Sequence, residues 1–313
     1  MMRNIGWSCI KQRSVLVLLY LGLAMMFGGF GTAQAQQLEP RAYSPSPVGA
    51  NFLGVGYLYS YGNAALDPAS PVQNVYARIN TVVPYYTRTL GLLGRQASIT
   101  ATTPYVWGKV HGDVFDVGRS VNRSGLGDPA LRFAVNLMGG PALTPLEFRR
   151  HEPQTTLGAS LVVIAPLGQY DPSKLINIGT NRWSCKPELG LSQPVGDWVF
   201  EAYAGVWLFT DNNDYFGGQV KRQDPLYSYQ AHIVYNVRPR LWAAFDFTYY
   251  EGGTSTVNGK QQNDRQDNTR GGVTLSVPMT PHQSLKFTWA RGVSVRIGSQ
   301  FETIGVAWQY LWF

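Results

Sequence analysis

The final residues restrict the fold more than any other part of the chain. Ile304, Val306, Trp308, Tyr310 and Trp312 alternate with Thr303, Gly305, Ala307, Gln309 and Leu311, and Phe313 ends the sequence. A period of two is a strand, here with one bulky apolar face and one small or polar face. In water such an edge invites pairing with other chains. In an outer-membrane barrel the last strand closes the ring and lipid covers the aromatic face. On this parity Trp308, Tyr310 and Trp312 are predicted to face lipid and Gln309 the lumen. Phe313 is one residue out of phase: either it turns away past the last ladder bond, or a bulge near Leu311 restores its phase.

The other terminus is compatible with export. Arg3, Lys11 and Arg13 precede an apolar run from Val15 to Phe30, and Ala33-Gln34-Ala35 is an A-x-A cleavage site. Residues 1–35 are therefore expected to be a cleaved signal peptide, 36–50 a short periplasmic segment, and 51–313 the barrel. Cys9 leaves with the signal, and Cys185 alone supports neither a disulfide nor a cysteine metal site. The net charge of +7 falls when the signal cations are removed, and no run of Lys and Arg remains, so nucleic acid is not an expected partner. Only 14% of residues are charged, whereas a soluble surface carries roughly a quarter or more.

No apolar stretch after residue 35 is long enough for a transmembrane helix. Alternating segments recur instead. Leu53, Val55, Tyr57, Tyr59 and Tyr61 share one face; Leu131, Phe133, Val135 and Leu137 oppose Arg132 and Asn136. Tyr229, Ala231, Ile233, Tyr235 and Val237 oppose Gln230, His232 and Asn236. Such segments number about twelve, an even count as bacterial barrels of this kind require. Their connections alternate in length. Gly62–Gln73, Gly108–Leu126, Leu167–Asn181, Asp211–Asp224 and Gly252–Gln266 are long, while Pro194–Gly196, Arg238–Arg240 and Met279–His282 are tight. Short periplasmic turns and long outer loops account for this asymmetry, with Gly139–Glu152 a long exception. The expected fold is thus an all-β, transmembrane, antiparallel up-and-down barrel of about twelve strands.

Several motifs carry a family resemblance. Gly125-Leu126-Gly127-Asp128 opens a strand; Ala165-Pro166-Leu167-Gly168-Gln169-Tyr170-Asp171 is followed by Asn177-Ile178-Gly179-Thr180-Asn181-Arg182-Trp183. Asn213-Asp214-Tyr215, Arg222-Gln223-Asp224-Pro225, Tyr249-Tyr250-Glu251-Gly252-Gly253 and Arg270-Gly271 complete the set. Together they resemble the MetA-pathway-of-phenol-degradation family of outer-membrane transporters, over nearly all of the mature chain. Leu167 departs from the Thr usual in that family's P-T-G run. The resemblance implies transport of hydrophobic or aromatic solutes and supplies no catalytic residues.

On the assigned parity Arg78, Arg132, Arg182, Lys186, Arg270 and Lys286 point into the lumen, as do Glu188, Glu201, His232 and Asp246. Two readings of these charges stand side by side. A cation excess steers anionic solutes such as aromatic carboxylates, or internal ion pairs fill and support a narrow barrel. Pro166, Gly168, Tyr170, Asp171 and Asn181 are candidates for a gating loop, although turn chemistry alone explains each of them. His111, His151, His232 and His282 are the only histidines, and none has an obvious Ser and acid at the same depth on adjacent strands. Two closely spaced His do not occur, so neither metal nor cofactor is expected.

The expectation is therefore a non-enzymatic outer-membrane channel for passive uptake of small hydrophobic or aromatic solutes. Its other partners would be outer-membrane lipid and, through the last strand, the barrel-assembly machinery. A structural or adhesin barrel is the alternative, and a barrel hydrolase a further one.

Overall fold

The computed structural model of the protein describes residues 38–65, 72–114 and 117–313. The expected signal peptide lies outside the described residues. Strands β1 (Asn51–Ala65), β2 (Val72–Leu92), β3 (Arg95–Thr102) and β4 (Tyr105–Val114) lead into β5 (Val117–Leu126) and β6 (Ala130–Met138). A short helix α1 (Pro145–Phe148), capped by Thr144, precedes β7 (Thr156–Ile164), β8 (Ser184–Val195) and β9 (Trp198–Phe209). Then come β10 (Asn212–Tyr215), β11 (Gln219–Gln223), β12 (Leu226–Arg238) and β13 (Leu241–Gly252). The chain finishes with β14 (Ser255–Val257), β15 (Lys260–Gln261), β16 (Gln266–Pro278), β17 (Gln283–Val295) and β18 (Gly298–Trp312).

The wall is a closed antiparallel barrel of twelve strands. Two of the staves are interrupted. Thr103-Pro104 separates β3 from β4, and Gly127-Asp128-Pro129 separates β5 from β6, because proline cannot donate to a ladder. Below these breaks β3 pairs with β2 and β6; above them β4 pairs with β2 and β5. The β4–β5 hairpin replaces the long loop expected over Gly108–Leu126. β10, β11, β14 and β15, from the Asp211–Asp224 and Gly252–Gln266 connections, form a separate four-stranded sheet.

β18 closes on β1 from Asn51↔Trp312 to Ala65↔Gly298 without a register shift. There is no bulge near Leu311, and Phe313 lies past the ladder, exposed. Closure of β18 on β1 leaves no free edge among the twelve staves, which a lipid-embedded sheet requires, and β5 of the outer hairpin pairs with β4 alone. Outward residues are apolar, among them Leu131, Leu189, Ile233, Phe245 and Phe247. Trp308, Tyr310 and Trp312 stack on one another along the outside of β18, and Tyr86 adjoins Trp312. Trp198 and Tyr235 pair at 4.7 Å nearer the turns, while Tyr229 and Tyr249 pair at 6.3 Å nearer the loops. These are the two aromatic girdles of a transmembrane barrel. Inward faces carry the polar groups, and Gln309 accepts a hydrogen bond there from Tyr85 (3.0 Å).

The N-terminal segment corrects the expectation of a short periplasmic tail. Residues from Leu38 onward lie inside the barrel. The segment is anchored at the barrel base, where Ala50 N–H donates to Thr89 Oγ1 (2.9 Å) and Thr89 Oγ1 donates to the Pro47 carbonyl (2.6 Å).

Candidate functional site: the lumen and its N-terminal insert

The small inward residues of β7 and β8 create the seat for this insert. Gly158 and Gly190 are register partners. A Cβ at Gly158 would come within 2.1 Å of the Tyr43 ring, and one at Gly190 equally close. Only glycine lets the ring lie flat against the sheet at this point. Tyr43 is 2% exposed. Its hydroxyl lies 2.9 Å from Ser160 Oγ and donates to Glu188 Oε1 at 3.0 Å. Tyr203 meets the ring edge-on at 5.1 Å, and the Arg132 guanidinium stands 5.1 Å from its centroid. Further along the insert, Arg41 N–H donates to Glu201 (2.7 Å) and Arg41 Nη1 to Asn236 (2.8 Å). Leu38 approaches Gly272 on β16, so the insert reaches from that strand to β7 and β8.

Of the ten candidates for the lumen, nine lie on its inner side. Lys186 and Glu188 form a buried ion pair at 2.9 Å. Glu201 also accepts from Ser192 (3.0 Å). Arg132 donates through Nη1 to the Ala42 carbonyl, whereas its Nε and Nη2 have no hydrogen-bond partner among the described residues. Arg182 is buried with its guanidinium 4.3 Å from the Phe209 ring centroid. Arg270 is buried, and Lys286 opens onto the cavity described below.

Arg78 is a correction: it points outward. Ala77, Ile79, Thr81 and Val83 take the inner face of β2, with Val75 buried on the same row. Asn80, outward, accepts from Tyr57 (2.7 Å), whose ring adjoins Trp107. Arg78 lies beyond this aromatic pair and rests on Tyr76 (5.6 Å). Past the lipid-covered band the usual arrangement reverses, with apolar residues lining the cavity and polar ones outside.

His232 and Asp246 come together in the lumen. The sequence offers no obvious Ser and acid together beside a histidine, and the β12–β13 register supplies the acid, pairing these two residues directly. Nδ1 lies 2.7 Å from Oδ1, and Thr274 Oγ1 donates to Oδ2 (2.7 Å). The turn at Pro239-Arg240 alone would set Asp246 opposite Ile233, and a register shift between Asn236 and Arg238 moves it opposite His232, so no local sequence signal marks the pair. Nε2 of His232 has no hydrogen-bond partner. His151 and His282 sit in connections and His111 on the β4–β5 hairpin.

The gating-loop candidates are tied down. Asp128, at the break before β6, accepts from Gly168 N–H (2.8 Å), Thr180 N–H (2.8 Å) and Thr180 Oγ1 (2.7 Å). Beside Pro166, Ala165 N–H bonds to the Pro129 carbonyl (3.0 Å). Tyr170 donates to the Asp214 carbonyl (3.1 Å), and Asn181, at φ 53°, donates to Asn212 (2.9 Å). The loop is thereby fastened to both the strand break and the four-stranded sheet. Asp128→Ala is expected to speed proteolysis within 165–183 by about tenfold or more, since charge-assisted hydrogen bonds are lost. Unchanged cleavage would show that the loop is held by something else.

Asp171 gives the loop a pH dependence. The Lys174 ammonium (2.6 Å) and then Ser173 hold its carboxyl at about 2, below the ordinary 3.8. A depressed carboxylate contributes order that is complete above its ordinary value and is lost as pH falls through the lowered one. Loop amide exchange, corrected for intrinsic rates, is expected to stay constant down to about pH 4 and to rise toward pH 2.

Between the insert and the loop lies a cavity of about 450 Å³. Leu38 and Glu39 bound it on one side and Ile176, Ile178 and Thr180 on another. Arg182, Lys186, Arg270 and Lys286 line it together with apolar wall residues. Glu39, Arg41 and Tyr43 of the insert were missed from the sequence, because nothing local marks a tail as returning into its own barrel.

A family model described as "Putative MetA-pathway of phenol degradation" matches residues 62–310. Among solved structures, the COG4313 outer membrane channel from Pseudomonas putida F1 is 22% identical with a TM-score of 0.74; the match covers 88% of this chain and 100% of that one. The transport unit of the autotransporter AIDA-I from Escherichia coli is 8% identical, TM-score 0.49, over 90% and 97% of the two chains. The beta domain of the Bordetella autotransporter BrkA is 11% identical, TM-score 0.48, over 85% and 100%. No curated protein sequence matches the chain. These structural likenesses concern the barrel alone.

Proposed function

The chain belongs to the MetA-pathway of phenol degradation family, and from that premise we propose that it is an outer-membrane channel for passive uptake of small hydrophobic or aromatic solutes. The observation that carries this reading is the cavity of about 450 Å³ inside a lipid-faced wall. That volume lies within the range that accommodates a small organic molecule, and its walls mix apolar side chains with a few polar groups. The start of β1, the end of β18 and the tight turns then face the periplasm, and the β4–β5 hairpin and the four-stranded sheet face outward. The Pseudomonas putida protein of similar fold is an outer membrane channel, which is consistent with this role.

Planar-bilayer recording with refolded protein is the direct test, together with swelling of liposomes in monocyclic aromatic solutes. Discrete conductance steps and solute entry are expected. A barrel that neither conducts nor admits solute would overturn the proposal and favour a surface-adhesive role for its outer loops.

A further inference from the structure

Glu39 carries a negative charge on the insert to the edge of the cavity. The ionisable groups it faces come from four strands: Lys186 (β8), Arg132 (β6), His232 (β12) and Lys286 (β17). Lys186 is matched by Glu188, and His232 by Asp246. Arg132 and Lys286 make no ion pair with a described carboxylate. Lys286 is enclosed by the barrel yet open to the cavity. Glu39 shares the cavity with Lys286, which also faces Asp246, and its charge offsets those of Lys286 and Arg132 without an ion pair to either. Higher in the same cavity Arg182 is 7% exposed, and its buried Nη1 has no hydrogen-bond partner among the described residues. The remaining lining is apolar, including Ile79, Val83, Val106, Ile164, Ile178 and Phe301.

We propose that this cavity binds a monocarboxylate with an apolar body of aromatic size, and that Glu39 is a tethered stand-in for its carboxylate. Such a ligand exchanges one negative charge for another, so the cations stay compensated when Glu39 leaves. A neutral aromatic entering instead would leave Lys286, which opens onto the cavity, and Arg132 without that compensation, which is costly inside a low-dielectric wall. Binding therefore weakens the hold of the wall on the insert. The inference rests on reading the lumen as a solute path, and it names the solute class.

The test is calorimetric titration of the full mature protein in detergent with benzoate, and with benzyl alcohol as the neutral match. Benzoate is expected to bind about tenfold more tightly than benzyl alcohol. Glu39→Gln should tighten benzoate binding by about tenfold and Lys286→Gln should weaken it by about tenfold, each with little effect on benzyl alcohol. Equal affinity for the two probes, no benzoate binding, or no effect of Glu39→Gln would each overturn the site. Glu39 lies outside the wall strands, so its variant decides the matter even if Lys286→Gln fails to fold. Titration in detergent requires no transport. Benzoate binding by a barrel that does not conduct would sink the channel reading and leave the site standing; conductance without benzoate binding would do the reverse.

Discussion

Tyr43→Ala is expected to convert a mostly occluded barrel into one with a several-fold higher mean conductance. The Tyr43 ring fills the two-glycine slot at Gly158 and Gly190, and truncating a buried aromatic side chain costs about 3 kcal/mol or more. A loss of about 3 kcal/mol shifts the docked-to-released ratio of the insert by about a hundredfold. Anchoring at Thr89 is untouched, so the segment remains attached but no longer crosses the lumen. Gly190→Ala attacks the same contact from the wall, placing a methyl group where the ring now lies. Both variants should behave alike in single-channel recordings. If both conduct like the parent protein, the insert is not what limits the pore.

Phe245→Arg is expected to cost the barrel about 2–4 kcal/mol, the figure for a cation near the middle of the lipid face. Phe245 is 69% exposed on the outside of β13. Its register partner Ile233 lies between Tyr235, which pairs with Trp198, and Tyr229, which pairs with Tyr249. Val237→Arg, at the turn end of β12 and outward as well, should cost about 0–1 kcal/mol because its charge can reach the interface. Reversible urea unfolding in lipid vesicles measures both. Equal costs would mean that the lipid band is not centred between these girdles.

The wall was legible in the sequence because its signal is local. Each residue of a strand is assigned to a face by its two neighbours, and lipid demands that one face be apolar. Trp308, Tyr310 and Trp312 were placed toward lipid and Gln309 toward the lumen on that argument alone, and the even strand count came from the number of such segments. The same argument failed at Arg78. It assumes that apolar always means outward, which is true only at the depth of the lipid. β2 continues past Tyr57 and Trp107, and there its apolar row covers the cavity.

The site was less legible because it is assembled by long-range placement. His232 and Asp246 look unrelated until a hairpin register sets them opposite one another. Asp128 reads as a turn residue, and it is also the tie that holds Gly168 and Thr180. Glu39, Arg41 and Tyr43 read as a polar tail.

The sequence by itself determined a lipid-facing barrel and the family to which it belongs, since alternation and motif spacing need no partner to be read. Only the tertiary structure decided what occupies the lumen. Whether a tail lies outside or threads back depends on complementary space made elsewhere, here by Gly158 and Gly190 on paired strands. Absent side chains leave no mark of the ring that will fill them until the barrel has closed around it.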